Sequence, residues 1–243
     1  MDKKVVDLES RKFWAFISYS GNDQELANRF HHQLETYSVP SKLVGDDSVL
    51  GPIPERLNPV CVDRGNFPAS SDIHRTIEAA LNNSKSLIVL VSPDSVQSDW
   101  VNREIRHFQE QGLGDRIYCV LTGPSTEGKL EFPPSLTSGP SVREPLAADL
   151  RTRGARKQAV LKTIAGVLGI DFDDLKERDA ERKIRRLTIT ISVLSIVLSF
   201  MVALIVYAEV KRREALLSAN EARLQKREAT ISYEDADAAR SNA

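Results

Sequence analysis

Few side chains in this 243-residue chain have the type and spacing for chemistry, and the most informative are Trp100 and Glu104. They stand at i and i+4 in a helical pattern, so an indole and a carboxylate share one helix face. Spacing alone also admits the ordinary reading, a tryptophan in the core and a glutamate turned to water. A second motif, Gly123 to Lys129, follows a strand-like run and has the outline of a phosphate-binding loop. It lacks the chemistry: Leu130 stands where a magnesium-binding hydroxyl belongs, and Pro133-Pro134 cannot open the helix that should follow. His31, His32, His74 and His107 show no metal-ligand spacing, so no metal site is expected. Cys61 and Cys119 sit in apolar runs, offer neither a disulfide framework nor zinc spacing, and read as buried thiols. A net charge of −1 gives no field for nucleic acid, and no such partner is expected.

The elements that must hold Trp100 and Glu104 alternate between strand and helix. Apolar runs at 13–18, 60–62, 87–91 and 116–121, with a weaker one at 144–146, predict five strands. The run at 87–91 (LIVLV) is apolar throughout, as a strand covered on both faces should be. Helical spacing predicts helices over 24–36, over 72–82 with Asp72 as its cap, over 95–111 and over 155–168. The prolines and glycines of 37–59 predict mostly loop. Alternation of this kind implies a parallel sheet with helices on both faces, and ligands bind at the carboxyl ends of its strands. The loops after Ser18, Val62 and Val91 would then line one cleft.

Three blocks in order, FISYSGND at 16–23, VDRGNFPASSDI at 62–73 and LIVLVSPDSVQSDWVNRE at 87–104, together resemble a TIR (Toll/interleukin-1 receptor) domain over about residues 12–170. PLAADLR at 145–151 is similar to bacterial TIR proteins that carry a transmembrane helix. The resemblance implies a flavodoxin-like α/β fold with a parallel five-stranded sheet. Several TIR domains of bacteria, plants and animal axons are NAD glycohydrolases whose catalytic glutamate ends a WxxxE motif, which here makes Glu104 the expected catalytic residue. The chemistry suits a carboxylate, because cleaving nicotinamide from ribose passes through an oxocarbenium-like state whose positive charge it can stabilise. Nicotinamide is already a cationic leaving group, so one carboxylate suffices, and Trp100 beside it would exclude water and strengthen its field.

By the same resemblance Tyr19 and Ser20 would border the substrate, and Asp63 to Ser70 would form the loop that rearranges and meets a neighbouring protomer. Phe67 would be that loop's apolar tip, Asp63 its start and Arg64 a phosphate contact. The alternatives are that Tyr19 covers the sheet edge and that Arg64 is a solvated charge. The chain departs from the family in two places: Ser20-Gly21 stand where many catalytic relatives carry a basic residue, and the connection at 37–59 is longer than usual. Catalytic and purely assembling TIR domains share one fold, so the fold alone leaves both activities open.

A second region follows. Between Arg186 and Glu209 no side chain is charged, and the run at 187–207 (LTITISVLSIVLSFMVALIVY) is long enough, at about 20 residues for roughly 30 Å, to span a bilayer as one helix. The N-terminal residues carry no apolar core of signal-peptide length, so the span is expected to act as its own anchor. Arg178, Arg182, Lys183, Arg185 and Arg186 on one flank outweigh Lys211, Arg212 and Arg213 on the other, which puts the N-terminal domain in the cytoplasm, at a bacterial inner membrane. Ser195, Ser199 and Ala203 form a small-xxx-small series suited to close helix approach and self-association. The expected organisation is a TIR domain at 12–170, a basic juxtamembrane helix at 171–186, the span at 187–207 and a charged helical tail at 208–243. The expected function is a membrane-anchored NAD+ hydrolase, activated by homo-oligomerisation in bacterial defence or cell-death signalling, with NAD+ as substrate and no cofactor. The alternative is a non-enzymatic TIR scaffold that assembles with other TIR domains at the membrane.

Overall fold

The computed structural model describes residues 7–62, 73–123, 132–137, 147–152 and 154–241. At its centre lies β5 (Leu87–Val91), buried at every position, as its unbroken run of Leu, Ile and Val requires. It pairs in parallel on one side with β1 (Phe16–Ser18) and on the other with β6 (Ile117–Leu121). β4 (Cys61–Val62) adds to the outer edge of β1, and β7 (Ala147–Asp149) to that of β6. The order β4-β1-β5-β6-β7, parallel throughout, is the flavodoxin-like arrangement expected from the sequence. The expected strand at 144–146 lies outside the described residues; the edge strand next to β6 is β7, at 147–149.

Alternation along the strands divides the core into two layers. Ile17, Tyr19, Ile88, Leu90 and Val120 face α1 (Gln24–Thr36) and α6 (Arg156–Leu168), which contribute Phe30, Leu34, Ile164 and Leu168. Phe16, Leu87, Val89, Val91 and Cys119 face α2 (Ile73–Asn82) and α4 (Asp99–Glu110), which contribute Ile77, Leu81, Val101, Ile105 and Phe108. Cys61 and Cys119 are both buried free thiols, and burial pushes the Cys119 thiol up to about 12. α6 ends on Gly169, whose φ of 71° provides the left-handed cap.

The helix expected over 95–111 is two helices. α3 (Pro93–Gln97) is opened by Ser92, whose side chain and that of Ser95 bond reciprocally to each other's backbone. Ser98 then adopts an extended conformation (ψ 114°) and its hydroxyl caps the Val101 amide, so α4 starts afresh. A short α5 (Pro134–Thr137) packs on α4, where the Asn102 side chain accepts from the Ser135 amide at 3.0 Å.

The connection between α1 and β4 is mostly loop, as expected, with one small hairpin of β2 (Asp47–Ser48) and β3 (Gly51–Pro52). Its Val39, Leu43, Ile53 and Leu57 are buried, which accounts for its length: it carries its own share of core. It also holds the first turns of α7 (Phe172–Ser241). Arg182 donates to the Ser38 carbonyl at 2.6 Å and Lys42 bonds Glu181 at 3.0 Å. Leu175 is fully buried, and the buried Asp179 carboxylate lies 3.3 Å from Arg182 and 3.9 Å from Lys157.

The chain divides into two compact units, one ending at Arg182 and one beginning at Lys183. The second is the remainder of α7. It is the one helix among the described residues long and apolar enough to cross a membrane, and none of its most apolar stretch is covered by protein. Within it the Ser199 hydroxyl donates to the Ser195 carbonyl at 2.9 Å, so that hydroxyl is satisfied inside its own helix.

Candidate functional site

In a sheet of this order the crevice lies where the strand order reverses, at the carboxyl ends of β1 and β5. Ser18 closes β1. It follows Ile17, so alternation turns its side chain to the Phe16 face, toward α2 and α4. The fresh start of α4 at Ser98 brings Glu104 to the same place, and the fully buried Ser18 hydroxyl donates to the Glu104 carboxylate. Glu104 is 3% exposed, which rules out the solvated glutamate that spacing alone allowed.

Trp100, one turn earlier, is half-buried. The His74 ring from α2 stands 4.8 Å away at 50°, and the Arg103 guanidinium lies 5.9 Å from the indole centroid. These groups, with Ile77, Glu78, Leu81 and His107, line a cavity of about 40 Å³ that Glu104 also borders. The expected Trp100–Glu104 pair therefore shares one cavity. A carboxylate there, sheltered beside an indole, can stabilise positive charge developing on a bound molecule.

Tyr19 and Ser20 directly follow Ser18 at the carboxyl end of β1. Tyr19 is 4% exposed and packs into the opposite core layer with Ile17 and Phe30. Ser20 is half-exposed and its carbonyl accepts from the Asp23 amide at 2.8 Å. Neither lines the Glu104 cavity. Asp63, Arg64 and Phe67 lie outside the described residues, as does the expected cap Asp72 and most of the false phosphate loop. Gly123, at that loop's start, comes so close to the end of β5 that a Cβ would stand 2.5 Å from Pro93 Cδ.

Beside the site, the loops after β1 and β5 are joined by polar contacts. The Ser92 hydroxyl donates to Asp23 at 2.5 Å and the Asn22 amide to Asp94 at 2.9 Å. Burial raises the Asp23 carboxyl above its ordinary range; the Ser92 bond opposes this and the Asp94 charge adds to it. Among the described residues no three His, Cys, Asp or Glu side chains are grouped to hold a metal ion.

Two neighbours of Glu104 escaped the sequence reading. Ser18 was discernible as the one hydroxyl at the end of an otherwise apolar strand. His74 gave no signal, because only the packing of α2 on α4 brings it to Trp100.

The comparison with known proteins agrees with this architecture. Residues 15–165, more than half of the chain, match the TIR domain family. The chain is also 28% identical over 159 residues to a protein named NAD(+) hydrolase ApTIR from an Actinoplanes species. That alignment covers 57% of this chain and 22% of the relative, so the chain spans about a fifth of the relative's length. With strand order, core layers and sequence profile in accord, the chain belongs to the TIR domain family.

Proposed function

We propose that this protein is an NAD+ hydrolase that cleaves the bond between nicotinamide and ribose, with Glu104 as its catalytic residue. The observation that carries the reading is a buried carboxylate, bonded by Ser18 at the carboxyl end of β1 and bordering, with Trp100, a cavity between α2 and α4. The name of the Actinoplanes relative supports the substrate. In the reaction the departing nicotinamide takes the bonding electron pair and leaves neutral. Positive charge passes to the ribose, where the Glu104 carboxylate stabilises it, and water then bonds to the anomeric carbon and gives its proton to solvent. Asp63, Arg64, Phe67, Tyr19 and Ser20 are proposed to act on the substrate's remaining parts, by the family resemblance.

A pocket for a ligand of this size measures about 300–1,000 Å³. The space of about 40 Å³ between α2 and α4 beside Glu104 is one part of such a site, and the loop at 63–72 expected to line the rest lies outside the described residues. Activation by association with other TIR domains is proposed from the family resemblance. The uncovered apolar stretch at 187–207 is proposed as a single membrane span between a juxtamembrane segment at 171–186 and a tail at 208–243. The TIR domain is proposed to lie in the cytoplasm, and the Ser195, Ser199 and Ala203 face is proposed for helix self-association. The proposed setting is bacterial defence or cell-death signalling.

The test is NAD+ turnover by the purified chain, concentrated in liposomes, against Glu104→Ala. Turnover by the parent and a loss of at least about a hundredfold in the variant is the expected result. Equal and negligible turnover under clustering conditions refutes the hydrolase and leaves the non-enzymatic scaffold.

A further inference from the structure

We infer that Ser18 is a positioning residue for Glu104: its buried hydroxyl fixes the carboxylate at the crevice of the sheet, without itself bordering the cavity. The inference rests on the hydrolase reading above. Three observations carry it. Ser18 is fully buried at the last position of β1, where pairing with Val89 of β5 leaves its backbone little freedom. Its hydroxyl donates to Glu104 Oε2, so it binds the charged form of the acid. It is absent from the cavity lining, whereas Glu104, Trp100 and His74 are all present.

Glu104 has three rotatable side-chain bonds, and its station on α4 fixes only the backbone. Val101, Ile105 and Phe108 anchor that helix on the core and leave the carboxylate to be aimed by its partners. A donor on a rigid central strand does this at no cost in mobility, and misplacement of a reacting group by about 1 Å can cost roughly a hundredfold in rate. Apolar strand positions beside Ser18, such as Ile17 and Val89, provide no donor.

The experiment measures kcat, KM and the pH profile of NAD+ hydrolysis for the full chain in liposomes, with Ser18→Ala, Ser18→Cys and Glu104→Gln. Thermal unfolding of each is followed in parallel. Ser18→Ala is expected to lower kcat by about ten- to hundredfold with KM within about twofold. The acid limb of its kcat profile should move to higher pH, because a bond to the ionised carboxylate is lost. Ser18→Cys, of similar size and with a weaker donor, should fall between the parent and Ser18→Ala, and carries the test if the alanine variant does not fold. A Ser18 variant that folds and keeps the parent's kcat and acid limb overturns the inference while Glu104→Gln inactivity preserves the hydrolase. A kcat loss with an unmoved acid limb overturns it too, since a merely structural role would give that pattern. A parent chain without turnover overturns the hydrolase reading, and this inference with it.

Discussion

Replacing Asp179 by Asn tests what fastens the start of α7 to the TIR domain. The side chain is 4% exposed, lies 3.3 Å from Arg182 and 3.9 Å from Lys157, and keeps its volume in the variant. Breaking a fully buried ion pair costs about 3–5 kcal/mol, an exposed one about 0–1. Lys157 is 64% exposed and simply returns to water, while Arg182, 24% exposed, keeps its bond to the Ser38 carbonyl. The expected loss is therefore between the limits, about 2 kcal/mol, or roughly 4–8 °C in the melting temperature of a domain this size. Hydrogen exchange at 172–182 should quicken more than at β5.

Tyr37 offers a second reading of the same contact. Burial first, then the Asp179 charge, push its hydroxyl up to about 12, with Arg182 pulling the other way. A tyrosine raised in the folded state contributes stability that is complete below its ordinary value and is lost as pH rises through the folded one. For Tyr37 that loss falls between about 10 and about 12. In the Asn variant the Tyr37 titration, followed by phenolate absorbance and assigned with Tyr37→Phe, should move down. A melting temperature within about 1 °C of the parent, together with an unmoved titration, refutes Asp179 as the fastening group.

Gly166→Ala on α6 places a Cβ 2.7 Å from the Tyr118 ring, which its hydroxyl pins to the Gly166 carbonyl at 2.5 Å. Overpacking of about 1–3 kcal/mol should outweigh a helix gain of about 1, and chemical denaturation will show whether Tyr118→Leu removes the penalty. Asp23→Asn should raise the melting temperature at neutral pH, because burial penalises the ionised parent carboxylate. The sign follows from its raised value: the parent loses stability as pH rises above the ordinary carboxyl range, so the gap between the two melts should close below about pH 3.8.

The sequence made α1 legible to the residue, because Ala27, Phe30 and Leu34 repeat at helical spacing above a strand rich in β-branched residues. The break at Ser98 was hidden, since the apolar spacing of Val96, Val101 and Ile105 runs on past a serine that only geometry reveals as a cap. The fifth strand was expected at 144–146, outside the described residues; the adjoining Ala147-Ala148-Asp149 has little strand preference of its own and pairs with β6 as β7. The Trp100–Glu104 pair was visible as a motif, yet its depth was not. The buried Glu104 accepts from Ser18, 86 residues earlier, and such distant contacts leave no local trace.

The Ser18–Glu104 bond joins residues 86 positions apart in the chain. It can form only once β1 and α4 have docked on the same core layer, so the candidate site belongs to the folded domain and not to the WxxxE segment alone. A peptide carrying Trp100 to Glu104 by itself would hold the motif and leave its carboxylate in water.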